Sequence, residues 1–257
     1  MSESINIYFT GTAGSGKTTM VAAFNEWMAE HGYDSVPINL DPGAEELPYK
    51  PEVDIRHWLR LDEIMNEFGL GPNGAQVAAA DLTALNAEKV KEGFEDIDTS
   101  YFLMDTPGQI ELFAFRDGTP HTIDVFGRDR SIIVYIFDPT MAQTPSGFVS
   151  LMMLSATVQF RLGLPQINVL GKADTLAPEK FNEIMGWSLD RYALSNAVLD
   201  SVGGMEKNLA VELFQVLETM GVLNSFFPIS STERTGFEDL YNVVQQVFAG
   251  GEDLEAQ

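Results

Sequence analysis

Eight consecutive residues, Gly11-Thr12-Ala13-Gly14-Ser15-Gly16-Lys17-Thr18, carry the spacing G-x-x-x-x-G-K-[ST]. That combination suits one task, the grip of a polyphosphate. Glycines let the chain wrap an anion so that backbone N–H groups point inward, and a following helix adds its positive end. Gly11 and Ala13 frame the turn, and the amides from Gly14, Ser15 and Gly16 to Thr19 face the phosphates. Lys17 reaches the β- and γ-phosphates, and the Thr18 hydroxyl is a ligand for Mg²⁺. Further along, Tyr101-Phe102-Leu103-Met104-Asp105 is an apolar run ending in an acid, followed by Thr106-Pro107-Gly108-Gln109. Downstream of a phosphate loop, such an acid is the second half of a Mg²⁺ site. Gly108 allows a backbone N–H to approach a γ-phosphate closely, and Gln109 stands where a water-orienting group is wanted. Asp41-Pro42-Gly43 is open to two readings. An acid at the end of a strand points into the ligand crevice of an open sheet, and the same tripeptide is good turn chemistry.

These residues need a scaffold that brings distant loops to one edge. Ile5–Phe9, Ser35–Leu40, Tyr101–Asp105, Ser131–Phe137, Gln166–Leu170 and Phe226–Ile229 read as strands. Near-continuous apolar runs such as Ile132–Phe137 fit strands covered on both faces. Helices are expected over 19–28, 55–68, 75–92, 145–162, within 178–220 with a break at Gly203-Gly204, and over 236–249. The segment Gly69-Leu70-Gly71-Pro72-Asn73-Gly74 is incompatible with a helix interior and reads as a rigid tip between two helices. It is either a plain turn or a device that presents Asn73. Strand–helix alternation predicts an α/β fold, a doubly wound, mostly parallel sheet with helices on both faces. The expected organisation is one domain over 1–257, with a helix–loop–helix insertion at 55–96, a helical insertion at 178–222 and a frayed tail from Gly250.

Composition narrows the partners. The 257 residues hold 38 acidic and 15 basic side chains, a net charge of −23. A phosphate backbone needs a basic face, so direct nucleic-acid binding is not expected. The acid is spread along the chain, which fits either a concentrated-salt cytoplasm or an ordinary acidic protein. There is no cysteine, hence no disulfide or thiolate metal site. The start of the chain has no signal-peptide pattern and the apolar runs are too short to span a bilayer, so a cytoplasmic protein without membrane contact is expected. His31, His57 and His121 have no ligand spacing.

Taken together, Gly11–Thr19, Asn39-Leu40-Asp41-Pro42, Leu70-Gly71-Pro72-Asn73-Gly74-Ala75, Asp105-Thr106-Pro107-Gly108-Gln109-Ile110-Glu111, Lys172-Ala173-Asp174 and Ser230-Ser231 resemble the GPN-loop GTPases in their archaeal form. The family lies within the signal-recognition and MinD-like class of P-loop proteins, and the Gly-Pro-Asn segment is its specific mark. The resemblance implies a Mg²⁺-dependent GTPase turning GTP into GDP and phosphate, working as a homodimeric switch or assembly factor. It implies that Asn73 completes the partner's site through the Gly71-Pro72-Asn73 region. It implies that Lys172, Asp174 and Ser231 bind the nucleotide, and that Asp41 and Gln109, with Glu111 as a further candidate, position the attacking water. RNA polymerase subunits are the client class suggested by eukaryotic relatives.

Two departures stand out. The guanine-reading pattern Asn-Lys-x-Asp begins here with Gly171, so Asp174 alone is left to favour guanine, and an asparagine restored at 171 is expected to tighten GTP binding. A second lysine near the start of the phosphate loop, found in MinD-like relatives, is replaced by Thr12. The competing readings are a phosphotransferase, an NTPase with relaxed base preference that accepts ATP, and a non-catalytic or very slow nucleotide-dependent scaffold.

Overall fold

The computed structural model describes residues 4–201 and 226–249, together with residues 212, 213, 216 and 219. The strands are β1 (Ile5–Gly11), β2 (Ser35–Asn39), β3 (Val53–Asp54), β4 (Tyr101–Asp105), β5 (Ser131–Phe137), β6 (Gln166–Leu170) and β7 (Phe226–Pro228). All pair in parallel, in the order β3-β2-β4-β1-β5-β6-β7. From β1 the chain builds to one side as far as β4, then to the other from β5. The loops after β1, β2 and β4 therefore meet at the carboxyl edge, where such sheets bind ligands.

Side-chain alternation divides the core into two layers. Ile5, Ile7 and Phe9 of β1, with Ile132, Val134 and Ile136 of β5, pack on helix α1 (Lys17–Glu30) and the closing helix (Phe237–Ala249) through Phe24, Trp27, Phe237 and Tyr241. Tyr8, Ile133, Tyr135 and Phe137 face the other layer, which includes Phe148, Met152 and Leu162 of the helix Pro145–Leu162. A period of two buried on both sides explains why these strands read as unbroken apolar runs.

The stretch between β2 and β4 differs most from expectation. Val53–Asp54 joins the sheet edge, a two-residue strand too short for any pattern. The helix expected over 55–68 is divided into a 3₁₀ turn at Ile55–His57, capped by the Asp54 carboxylate accepting from Arg56 N–H, and α2 (Leu61–Phe68). The expected tip is also reassigned. Gly71 caps α3 (Pro72–Leu85) with extended backbone, and Pro72 takes the first helical position. A proline is harmless there because that N–H has no intrahelical acceptor. Asn73 is thus in the first turn of a helix and not in a free loop. The helix expected over 75–92 breaks at Asn86, and α4 (Ala87–Glu92) follows.

The sequence reading missed α5 (Thr119–Phe126), although Pro120 near its start and Gly127 after its end, at φ 109°, mark it. It also missed α6 (Pro139–Ala142). The helix Pro145–Leu162, α7, ends at Gly163 as expected. Of the region 178–220, α8 (Pro178–Leu189) and α9 (Arg191–Ser201) are described, and the helix Phe237–Ala249 is α10. The break at Gly203-Gly204 and the tail from Gly250 lie outside the described residues. No helix among the described residues is long and apolar enough to cross a membrane.

Candidate functional site

The phosphate loop joins β1 to α1. Gly16 caps α1 at φ 101°, a left-handed conformation that L side chains rarely adopt. Lys17 is 5% exposed, and its ammonium is held inside the loop. It donates to the carbonyls of Gly11 (3.1 Å), Thr12 (3.0 Å) and, across the cleft, Gly108 (2.7 Å). Burial pulls its pKa down to about 8, against the pull of Asp105 and Asp41, with Lys172 adding repulsion. Gly11 and Ser15 are buried, Gly16 and Thr18 half-buried, and Ala13, Gly14 and Thr19 exposed at the mouth.

The strand ends bring two acids, Asp41 and Asp105, and one glycine together. Thr106 donates to the Phe9 carbonyl at 2.6 Å, which ties the turn after β4 to β1. Asp105 is 1% exposed. Burial raises its pKa to about 6, opposed by the Tyr49 and Thr18 hydroxyls and by Lys17, and reinforced by the charge of Asp41. Asp41 accepts the Gly43 N–H on Oδ1 (2.8 Å) and the Gly108 N–H on Oδ2 (3.0 Å). Burial lifts its pKa above the ordinary range, while both N–H groups oppose the lift. Gly108 is therefore engaged twice, its N–H by Asp41 and its carbonyl by Lys17. Of the two readings of Asp41, the turn contact to Gly43 and the cleft contact to Gly108 both hold.

Four residues to which the sequence reading gave no role hold this cleft. Asn39 accepts the Asp41 N–H (3.0 Å) and donates to Asp54 (2.9 Å). Arg56 binds the Asp54 carboxylate through Nε and Nη2 (2.6 Å at the shorter contact) and donates from Nη1 to the Ala44 carbonyl at 2.7 Å. Burial works against ionising Asp54, but the hydrogen bonds from Arg56 and Asn39 outweigh it and hold its pKa below the usual carboxylate value. Tyr49 donates its hydroxyl to Asp105 Oδ2 at 2.8 Å. The signal available was the run Pro48-Tyr49-Lys50-Pro51 and the acid–base pair Asp54/Arg56, and neither has a recognisable spacing.

Mg²⁺ takes oxygen ligands, keeps several waters and relies on one or two protein groups plus phosphate oxygens. The donor set fits that habit. Asp105 Oδ1 is buried without a hydrogen-bond partner, and the Thr18 hydroxyl lies near enough to ease the ionisation of Asp105. No cluster of three or more His, Cys, Asp or Glu side chains that could cage a metal occurs among the described residues.

At the other side of the loop, Lys172 adopts φ 49° and donates to the Gly14 carbonyl. Ser230 donates to Asp174 Oδ1 at 2.6 Å, which orients that carboxylate, and Ser231 beside it is half-buried. Gly171 fills a tight place. A Cβ there would lie 2.6 Å from Ile136 Cγ2 and 3.2 Å from the Ser15 carbonyl oxygen. An asparagine at 171 therefore strains this packing, which stands against the expected tightening of GTP binding. Gln109 and Glu111 are exposed at the cleft rim, and Asn73 is exposed on α3. None of the three side chains hydrogen-bonds another described residue, Asp41 included.

Comparisons with known proteins agree with this fold. A family profile described as a conserved hypothetical ATP binding protein matches residues 9–250. A GPN-loop GTPase of Pyrococcus abyssi is 32% identical, over 96% of this chain and 99% of its own length. The chain belongs to the GPN-loop GTPase family. Two further family members, GPN-loop GTPase 1 of Dictyostelium discoideum and GPN-loop GTPase 2 of Xenopus tropicalis, are each 30% identical. The chain spans 60% of the length of the first and 84% of the second. The crystal structure of the Pyrococcus abyssi GPN-loop GTPase in its apo form superposes with a TM-score of 0.83 at 29% identity, covering 96% of this chain and 99% of that one.

Proposed function

We propose that this protein hydrolyses GTP to GDP and phosphate with Mg²⁺, as a homodimeric molecular switch or assembly factor. The observation that carries the reading is the convergence of Lys17, Asp41, Asp105 and Gly108 on one cleft beside the helix α1 N-terminus. Lys17 and the amides from Gly14 to Thr19 hold the phosphates. Thr18 and Asp105 are the groups that would hold Mg²⁺, whose charge offsets that of the phosphates when bound. On binding the triphosphate, Lys17 exchanges the Gly108 carbonyl for phosphate oxygen, and the Gly108 N–H is released from Asp41 towards the γ-phosphate. Asp41, then free, positions the attacking water with Gln109, and Glu111 lies next in line. Phosphoryl transfer is mainly positioning and electrostatics, so no covalent nucleophile is required. Asn73 serves the partner's site, and RNA polymerase subunits are the proposed clients, testable by capture with the GTP-bound form.

The relatives are named for GTP and the family profile for ATP. Asp174, oriented by Ser230, favours guanine, because its carboxylate can accept from two adjacent N–H groups of that base. Gly171 favours a weaker discrimination, since no side-chain amide is present there. A second reading, slow turnover with nucleotide setting dimer shape, draws support from the doubly engaged Gly108. Acceptor-free phosphate release decides between them. Steady release from GTP, faster than from ATP and abolished by chelator, supports the proposal. No release above background with bound GTP would overturn it in favour of the scaffold.

A further inference from the structure

Tyr49 sits in the segment joining β2 to β3, between Pro48 and Pro51. Its neighbours Pro48 and Lys50 are exposed, whereas its ring packs against the core layer that holds Ile5, Ile7 and Phe24. The segment is fastened at both ends. Arg56 holds the Ala44 carbonyl at 2.7 Å, and Glu52 N–H donates to the Pro37 carbonyl at 3.0 Å. The tyrosine hydroxyl is thereby delivered to Asp105 Oδ2 at 2.8 Å. The other oxygen, Oδ1, is buried and has no hydrogen-bond partner.

A buried carboxylate with an empty lone-pair direction is costly unless a ligand fills it. One oxygen held by a charge-assisted bond and the other left open is the pattern of a ligand oriented by its neighbour. We infer that Tyr49 is a positioning residue for the metal, fixing the Asp105 side chain so that Oδ1 is presented to Mg²⁺ beside Thr18. The inference rests on the proposed role of Asp105 as a metal ligand. The hydroxyl also links that carboxylate to the segment carrying Asp41, so the metal and the water-positioning loop share one support.

Tyr49→Phe keeps the ring and removes only the hydroxyl. Binding of GDP is measured by calorimetry in chelator and in Mg²⁺, and Mn²⁺ affinity in the GDP complex by electron paramagnetic resonance. Loss of an orienting partner costs roughly 10–100-fold in metal affinity. The expected result is that loss for Mn²⁺ and Mg²⁺, with GDP affinity in chelator close to wild type and a melting temperature lowered by the lost buried hydrogen bond. Unchanged metal affinity would overturn the inference. Tighter metal binding would also overturn it, by making the hydroxyl a competitor for the site. Tyr49→Leu repeats the measurement without the ring, guarding against a misfolded single variant. If GDP binding to the wild-type protein shows no metal dependence, it is the reading of Asp105 that fails, and the two failures are told apart.

Discussion

At the scale of single residues, Lys17 has the most at stake. Its buried ammonium loses its proton near pH 8 in the free protein, and phosphate binding needs the charged form. Affinity for GTP measured in chelator is therefore expected to fall above pH 8, approaching tenfold per pH unit. The sign for stability is opposite. Between about pH 8 and the ordinary lysine value the unfolded chain binds more protons, so this group makes stability rise with pH there. Lys17→Ala should remove the pH dependence and weaken binding by about 1.5–3 kcal/mol, the worth of a charge-assisted contact. A pH-independent affinity in wild type would contradict the buried, lowered lysine. Gly171 gives the second prediction. Gly171→Asn forces a Cβ against Ile136, and overpacking of that kind costs typically 1–3 kcal/mol. The melting temperature should drop while GTP affinity fails to improve, and pairing the change with Ile136→Ala should relieve the strain. An unaltered melting temperature in the single variant would show that the neighbours give way freely.

At the scale of elements, the segment from β2 to β3 depends on one cation. Arg56 is partly exposed while Asp54 beneath it is buried, and the guanidinium also holds Ala44. Arg56→Ala leaves Asp54 with Asn39 as its remaining side-chain partner. Denaturant unfolding should show a loss of about 1.5–3 kcal/mol, and Arg56→Ala with Asp54→Asn together should recover part of it, because the neutral amide tolerates burial better. Additive losses would mean that the two side chains are not coupled. This segment also marks the boundary of what the sequence revealed. The phosphate loop and Asp105 were legible because each belongs to a short motif at the end of an apolar strand, and Asp41 was legible there as one of two readings. The roles of Tyr49, Asn39, Asp54 and Arg56 were not legible: Asn39 stood only as part of the Asn39–Pro42 motif, the Asp54/Arg56 pair has no recognisable spacing, and no local spacing records a contact from residue 49 to residue 105. The Gly-Pro-Asn segment was misjudged for a related reason. Proline and glycine suggest a loop, but a proline at the first helical position begins a helix, and only the cap geometry separates the two cases.

At the scale of the whole molecule, charge and assembly matter. A net charge of −23 opposes compaction, and at about 1 M salt the Debye length shrinks to about 3 Å. The melting temperature should rise between low and molar KCl, and a flat or falling curve would count against adaptation to concentrated salt. The assembly prediction concerns Asn73. It stands exposed in the first turn of α3, where the Pro72 ring stiffens the backbone. One turn later, Gln76 Nε2 approaches within 3.3 Å of the place a Cβ would take at Gly43. Within this chain α3 thus leans on the loop carrying Asp41, and Asn73, three residues before Gln76 and on a neighbouring part of the same helix face, is exposed. An uncharged amide there can donate to a phosphate oxygen or the attacking water without altering the charge of the site. Asn73→Ala should reduce turnover, at most by the roughly 2.7–4 kcal/mol that a preorganised donor contributes, and leave GDP affinity intact. Mixing that variant with Lys17→Ala tests the direction of the contact. In a mixed dimer the subunit with a sound phosphate loop lacks its own Asn73, and its partner, impaired at its own phosphate loop, supplies one. Phosphate release should return in proportion to the mixed dimers formed, as counted by native mass spectrometry. Heterodimers that form and remain inactive would place the action of Asn73 inside its own subunit, through Gln76 and the Asp41 loop.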